Sequence, residues 1–135
     1  MKTLILTVGL PRSGKTTWAR QQGHPIVNPD SIRLALHGQR FQSLAEQFVW
    51  ATATVMVRSL FLAGHDAVIV DATNMTVKRR EAWKSDEWGV HYKVFDANQE
   101  ECVRRATAEG DTEIIPVIAR MAGEYEPPPM ERRIS

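Results

Sequence analysis

The stretch KTLILTVGLPRSGKTTWAR, residues 2–20, carries the decisive pattern. Its first part, Lys2 to Val8, is a continuous apolar run, as in a strand buried on both faces of a sheet. Gly9-Leu10-Pro11-Arg12-Ser13-Gly14-Lys15-Thr16 then fits G-x-x-x-x-G-K-[ST] at every fixed position. The glycines let the backbone turn tightly around a phosphate. Successive N–H groups then point inward, at the positive end of the helix that follows. In this pattern the lysine reaches the β- and γ-phosphates and the hydroxyl ligates Mg²⁺, which gives Lys15 and Thr16 those roles. The residues Gly9, Leu10, Pro11, Arg12, Ser13, Gly14, Lys15, Thr16 and Thr17 are expected to wrap the phosphates of a nucleoside triphosphate. The competing reading is a chance glycine-rich turn. The strand before it, and a helix expected over 13–22 after it, argue against that.

Outward from the cradle the chain alternates. HPIVN (24–28) reads as a short strand ending in an Asn-Pro-Asp turn, and residues 30–36 as a helix with Asp30 at a plausible N-cap. Residues 43–63 have apolar residues near helical spacing at Leu44, Phe48, Val49, Val55, Met56, Leu60 and Phe61, and Gly64 stops the pattern. DAVIV (66–70) is a second buried strand. Residues 76–87 read as a charged surface helix, VHYKVFD (90–96) as a further strand, and 98–108 and 114–124 as helices around the polar loop AEGDTE. Alternation of this kind predicts an α/β domain with a parallel sheet of four to five strands flanked by helices. The domain is placed at 1–125, with 126–135 as a proline-rich, poorly ordered tail. Ligands of such sheets sit beyond the carboxyl ends of the strands. The loops at Gly9, Asn28 and Asp71 should therefore open on one edge.

Composition sets bounds. The 135 residues are 43% hydrophobic and 24% charged, as in ordinary globular domains. A net charge of +1 gives no global attraction to a polyanion, so such a partner needs a local patch. A single cysteine, Cys102, rules out an internal disulfide and fits a reducing cytoplasm. No secretory leader or membrane-spanning run is read. The four histidines have no ligand spacing. The tryptophans fall on helices or helix ends, where packing explains most of them.

Asp30 and Arg33 lie just past the second strand, three residues apart on one helix face. A carboxylate there suits a general base for an acceptor hydroxyl, and a guanidinium suits an acceptor phosphate; a plain N-cap explains Asp30 as well. Asp71 ends a buried strand, where an acid orients Mg²⁺ through water. Thr73 and Asn74 then either meet the acceptor or tie down the loop. Lys78, Arg79 and Arg80 form the densest basic run, read either as a phosphodiester track or as a solvated helix face. Arg104 and Arg105 sit beside the flexible loop, as a closing lid requires; a solvated helix face is the competing reading.

KTLILTVGLPRSGKTTWAR, NPDSIR, DATNMTVKRREAW and KVFDANQEECVRRATAEG together resemble the bacteriophage polynucleotide 5′-kinases, in that family's order and over about residues 1–125. The similarity extends to the small P-loop kinases that include the zeta toxins. It implies a P-loop NTPase fold with ATP and Mg²⁺. Asp30 becomes the general base, Arg33 and Arg79 acceptor contacts, and Arg105 with Arg104 the lid cations on the β- and γ-phosphates. It also implies a DNA or RNA acceptor and a bacterial or phage-infected cytoplasm. The chain departs from the family at Arg12 in the cradle, at Ser31, at Ala72 before Thr73-Asn74, and in an acidic lid (Glu109, Asp111, Glu113). Phosphorylation of a strand's 5′-hydroxyl, of a hydroxymethyl group on a modified base, or of a small molecule such as a nucleoside or sugar all stay open. From another class, so does an ATPase switch.

Overall fold

A computed structural model describes residues 1–38, 40–41 and 43–135. Strand β1 (Thr3–Val8) runs into the cradle and then helix α1 (Lys15–Arg20). Short β2 (Ile26–Val27) leads to α2 (Pro29–His37), and a 3-10 turn at Ser43–Ala45 leads to the long α3 (Glu46–Leu62). β3 (Ala67–Val70), α4 (Val77–Glu81), β4 (Gly89–Val94), α5 (Gln99–Ala108) and α6 (Ile115–Glu124) follow. The four strands form one parallel sheet in the order β2-β3-β1-β4. Sequence order reverses around β1, so the carboxyl end of β1 is the switch point where such sheets take ligands. The cradle begins there.

β1 and β3 are mostly apolar because both of their faces are covered, and the buried Thr7 of β1 donates its hydroxyl to the Ala72 carbonyl (2.7 Å). Leu4, Leu6, Val8, Val68 and Val70 meet Val49, Ala53, Val57 and Phe61 of α3. On the other face, Ile5 and Ile69 pack with Ala19 of α1. The buried stripe of α3 is thus 49/53/57/61, at four-residue spacing. Only Val49 and Phe61 of the apolar positions named in the sequence are fully buried; Leu44, Phe48, Val55 and Met56 are exposed. Hydrophobicity alone missed the stripe because Ala53, a small residue, sits at its centre.

Two expectations fail on packing. The charged surface helix over 76–87 shrinks to Val77–Glu81, and Arg80 faces inward with 2% of its surface exposed. Its Nη1 donates to the Asn74 carbonyl (2.8 Å) and its Nη2 to the Glu126 carbonyl (2.6 Å). The basic run therefore does not form a continuous surface track. The second bond also shows why 126–135 is ordered. Glu126 N donates to Met75 O (2.9 Å), Ile134 N donates to Tyr92 O (2.8 Å), and Arg133 makes a parallel bridge to Tyr92 on the open edge of β4. The tail covers an edge that would otherwise expose unpaired backbone groups.

Arg80→Ala is expected to lower stability by about 2–4 kcal/mol, because hydrogen bonds from a buried charged group to two carbonyls, that of Asn74 itself buried, are lost together. Thermal unfolding of variant and wild type checks this. A shift of under a degree would return Arg80 to the surface role read from the sequence.

Candidate active site

The cradle is shaped by close approach. Gly9 N donates to Thr73 O (3.0 Å), which pins the start of the loop to the end of β3. A Cβ on Gly9 would lie 2.7 Å from Ser13 Oγ and 2.9 Å from Phe95 Cβ, so no larger residue fits. Gly14 takes a φ of 101°, which glycine adopts without strain, and hands the chain to α1. Lys15 is buried inside the loop. Its Nζ donates to Leu10 O (2.6 Å) and lies 3.4 Å from Ser13 Oγ. Desolvation pushes its pKa down to about 8, against the opposing charges of Asp71 and Asp30. An anionic phosphate at this point favours the charged lysine again.

The three strand-end loops meet at Asp71, which is only 4% exposed. Thr16 Oγ1 donates to Asp71 Oδ2 (2.7 Å), and Asn28 Nδ2 donates to the same oxygen (3.1 Å). A hydroxyl and a carboxylate side by side are hard oxygen ligands of the kind Mg²⁺ takes, with phosphates and water supplying the rest. Among the described residues no cluster of three or more His, Cys, Asp or Glu forms a protein-only metal cage. The residues present therefore fit Mg²⁺ carried with a nucleotide.

Asp30 is the second residue of α2, not its cap. Asn28 caps the helix, with its Oδ1 accepting from Ser31 N (3.1 Å) and Pro29 in the first turn. This leaves the Asp30 carboxylate exposed and free of a capping duty. It accepts from Arg33 Nη1 (2.7 Å). Arg33, expected to meet an acceptor phosphate, is committed elsewhere: Nε and Nη2 donate to the two oxygens of Glu46 on α3 (2.8 and 2.7 Å), and its side chain is 15% exposed. Burial works against its charge, but Glu46 and Asp30 outweigh it and raise its pKa.

The structure separates the remaining candidates. Asn74 is buried, with Nδ2 on the Thr7 carbonyl (2.8 Å) and a φ of 44°, so it ties the loop instead of lining a cleft. Thr73 contributes its backbone carbonyl to Gly9. The Arg79 guanidinium is half-buried and lies 3.8 Å from the Trp50 ring centroid, stacked on it. Arg104 pairs with Glu101 at the surface, while Arg105 reaches the cradle, with Nη1 donating to the Arg12 carbonyl (3.0 Å). The Arg12 side chain, 30% exposed, pairs with Glu109 and donates from Nη2 to Asp111 (2.8 Å). Arg40, between α2 and α3, binds both oxygens of Asp111 (2.8 Å each). These two arginines hold the Asp111 carboxyl well below the usual carboxylate range.

Asn28, Arg40, Glu46 and Asp111 were not singled out as site residues from the sequence. Asn28 had a signal, an Asn directly before a helix-starting Pro. The other three are joined only by long-range geometry. A cleft of about 200 Å³ opens beside Gly9 and Leu10, between Phe95–Asn98 and Tyr125. That is below the size of whole-ligand sites.

A family model described as AAA_33, AAA domain, matches residues 4–128. Among solved structures, a chain of the Pnkp1/Rnl/Hen1 complex is 30% identical, with a TM-score of 0.68 over 77% of this chain and 38% of that one. A gluconokinase from Sinorhizobium meliloti 1021 is 17% identical, with a TM-score of 0.63 over 98% and 80%. The Mycobacterium tuberculosis APS kinase CysC, solved with AMPPNP and APS, is 16% identical, with a TM-score of 0.66 over 98% and 87%. The chain spans less than half the length of the Pnkp1/Rnl/Hen1 chains it matches. The fold is that of the P-loop kinases.

Two outcomes are expected. Gly9→Ala should lower the thermal midpoint by several degrees, since the new methyl overlaps both Ser13 and Phe95; an unchanged midpoint would show that the loop yields freely. Glu46 is held below its ordinary 4.5, first by its hydrogen bonds from Arg33. Its contribution is therefore complete above that value and is lost as pH falls through the lowered folded value. Glu46→Gln should cost about 1–2 kcal/mol at pH 7 and less at pH 3, read from urea midpoints at both pH values. An equal loss at the two values would rule out the ionic contribution.

Proposed function

The chain belongs to the AAA_33 family of AAA domains, and we propose that it is a kinase moving the γ-phosphate of ATP onto a hydroxyl of a nucleic acid, first of all a strand's 5′-hydroxyl. The observation that carries this reading is the meeting of three strand ends at Asp71. It sets Lys15 and Thr16 of the cradle on the same sheet edge as α2, which presents Asp30. Asp30 also lies close enough for its charge to act on Lys15.

In this reading the backbone N–H groups of residues 9–16 and the Lys15 ammonium hold the β- and γ-phosphates. Thr16 directly, and Asp71 through water, would hold Mg²⁺, which would neutralise charge on those phosphates. Asp30 accepts the proton of the attacking hydroxyl as its oxygen bonds to the γ-phosphorus and the bond to ADP breaks. Arg33 holds Asp30 in place and is itself held by Glu46, so it acts as a positioning residue. Arg105 steadies the cradle through the Arg12 carbonyl and brings a lid cation to the phosphates. The nucleic-acid acceptor draws support from the polynucleotide-kinase resemblance and from 30% identity to a chain of the Pnkp1/Rnl/Hen1 complex. A small-molecule acceptor is the second reading, favoured by the acidic lid and by fold neighbours that include a gluconokinase.

Radiolabelled γ-phosphate offered with 5′-hydroxyl DNA, 5′-hydroxyl RNA, a hydroxymethyl-base duplex, a free nucleoside and gluconate tests the reading. Label is expected on the 5′-oxygen of a strand. Label only in free phosphate would make the chain a hydrolase, and label on gluconate alone would move it to the second reading. Asp30→Asn should cut transfer by ~10²-fold or more while nucleotide still binds. Lys15→Ala should weaken nucleotide binding itself.

A further inference from the structure

The sequence assigned the acceptor's phosphate to Arg33, and the structure commits that side chain to Glu46 and Asp30. A kinase acting on a nucleotide-like acceptor then needs another cation on the α2–α3 side of the mouth. We propose that Arg40, with Arg12, is that subsite: it recognises a phosphate neighbouring the acceptor hydroxyl, and the Asp111 carboxylate occupies it as an internal substitute. The inference rests on the kinase reading above.

Three features support it. The contact has anion-site geometry. Both Nη atoms of Arg40 donate to the two oxygens of Asp111 at 2.8 Å, the fork arrangement that guanidinium makes equally with phosphate. Arg12 donates to one of the same oxygens at 2.8 Å, so a single anion is gripped from two loops. The cations are also reachable, with the Arg40 side chain 48% exposed and that of Arg12 30%, against 15% for Arg33. Finally, the pair joins two parts of the mouth: Arg40 follows α2, which carries Asp30, and Arg12 belongs to the cradle, so the anion they share links the two. Charges on Asp30 and Glu113 also act on Arg40, alongside Asp111.

Asp111 sits after Gly110, whose φ is 73°, on the loop between α5 and the 3-10 turn before α6. It is therefore mounted on the lid and leaves with it. A phosphate entering the subsite displaces Asp111, while an acceptor without one does not. This makes Asp111 a tethered competitor and Arg40 a specificity residue. A purely structural ion pair behaves differently: loss of either partner then has the same sign.

The test is calorimetric, on the full chain with Mg²⁺ and a saturating non-hydrolysable ATP analogue, so that the cradle is filled. The probes are a nucleoside 3′-monophosphate with a free 5′-hydroxyl and the same nucleoside without phosphate. Wild type should prefer the phosphorylated probe by ~10-fold or more, the range of one charge-assisted contact. Arg40→Gln should abolish the preference. Asp111→Asn should tighten the phosphorylated probe by ~3-fold or more, because the competitor is gone. Weakening in both variants, or an Arg40→Gln variant that keeps the preference, overturns the subsite; Arg40→Lys serves as a second variant should Arg40→Gln fold poorly. The kinase reading is judged separately. A preference for the phosphorylated probe without label transfer upholds the subsite and removes the kinase reading. Label transfer with an acceptor KM unaltered by Arg40→Gln removes the subsite alone.

Discussion

One buried carboxylate organises the mouth of this molecule. Asp71 leaves water at the end of β3, and an ionised group does so only when hydrogen bonds replace its hydration. Its partners are Thr16, in the first turn of α1, and Asn28, at the end of β2. Satisfying one oxygen therefore fixes three loops against each other. Asn28 carries the constraint further: its amide nitrogen serves Asp71 while its amide oxygen caps α2. The direction of the helix that presents Asp30 is thus tied to the phosphate cradle by a single side chain. The fold supplies the common edge, and Asp71 supplies the register.

The charged groups around that edge are paired internally. Lys15 donates to the cradle's own Leu10 carbonyl, Asp30 to Arg33 is an ion pair, Arg12 is held by Glu109 and Asp111, and Arg105 rests on the Arg12 carbonyl. A phosphate that enters exchanges one set of partners for another. Binding is then a difference between two well-satisfied arrangements, which favours ligands that replace several contacts together over ligands that replace one. This is how a small site with partly exposed ion pairs, each weak in water, gains selectivity.

The cradle and the parallel sheet were legible from residues 2–20 and from the strand-helix alternation because those signals are local. A glycine must sit where Cβ would collide with Ser13 and Phe95, and a strand covered on both faces must be apolar along its length. What escaped was decided by partners far along the chain. Arg80 reads as surface charge until the Glu126 carbonyl appears beside it, and the proline-rich tail reads as loose until it meets the β4 edge. Asp30 was legible as a residue but not as to its duty. The cap moved to Asn28 because an Asn before Pro29 reaches the free N–H of Ser31, and that released the carboxylate. Arg33 shows what local patterns leave out, since Glu46 on α3 pairs with it through two hydrogen bonds that no short stretch of sequence announces.

The acidic lid is where sequence and structure differ most in meaning. Glu109, Asp111 and Glu113 in a chain of net charge +1 argue against a polyanionic partner if every charge is taken as solvated surface. In the structure, Glu109 and Asp111 are instead the counter-charges of Arg12 and Arg40. Net charge then stops being the relevant quantity, because the potential at the mouth depends on where residues 109–111 stand. With residues 109–111 in place the two arginines are neutralised; in the subsite proposed above, displacement of that loop would leave them as a cationic rim beside the acceptor. Coulomb attraction for a phosphodiester falls off within about 10 Å at ordinary ionic strength, so a local rim outweighs the average over the surface. A lid that carries its own carboxylates can therefore make attraction for an anionic acceptor conditional on opening, using the residues that, read one by one, spoke against such an acceptor.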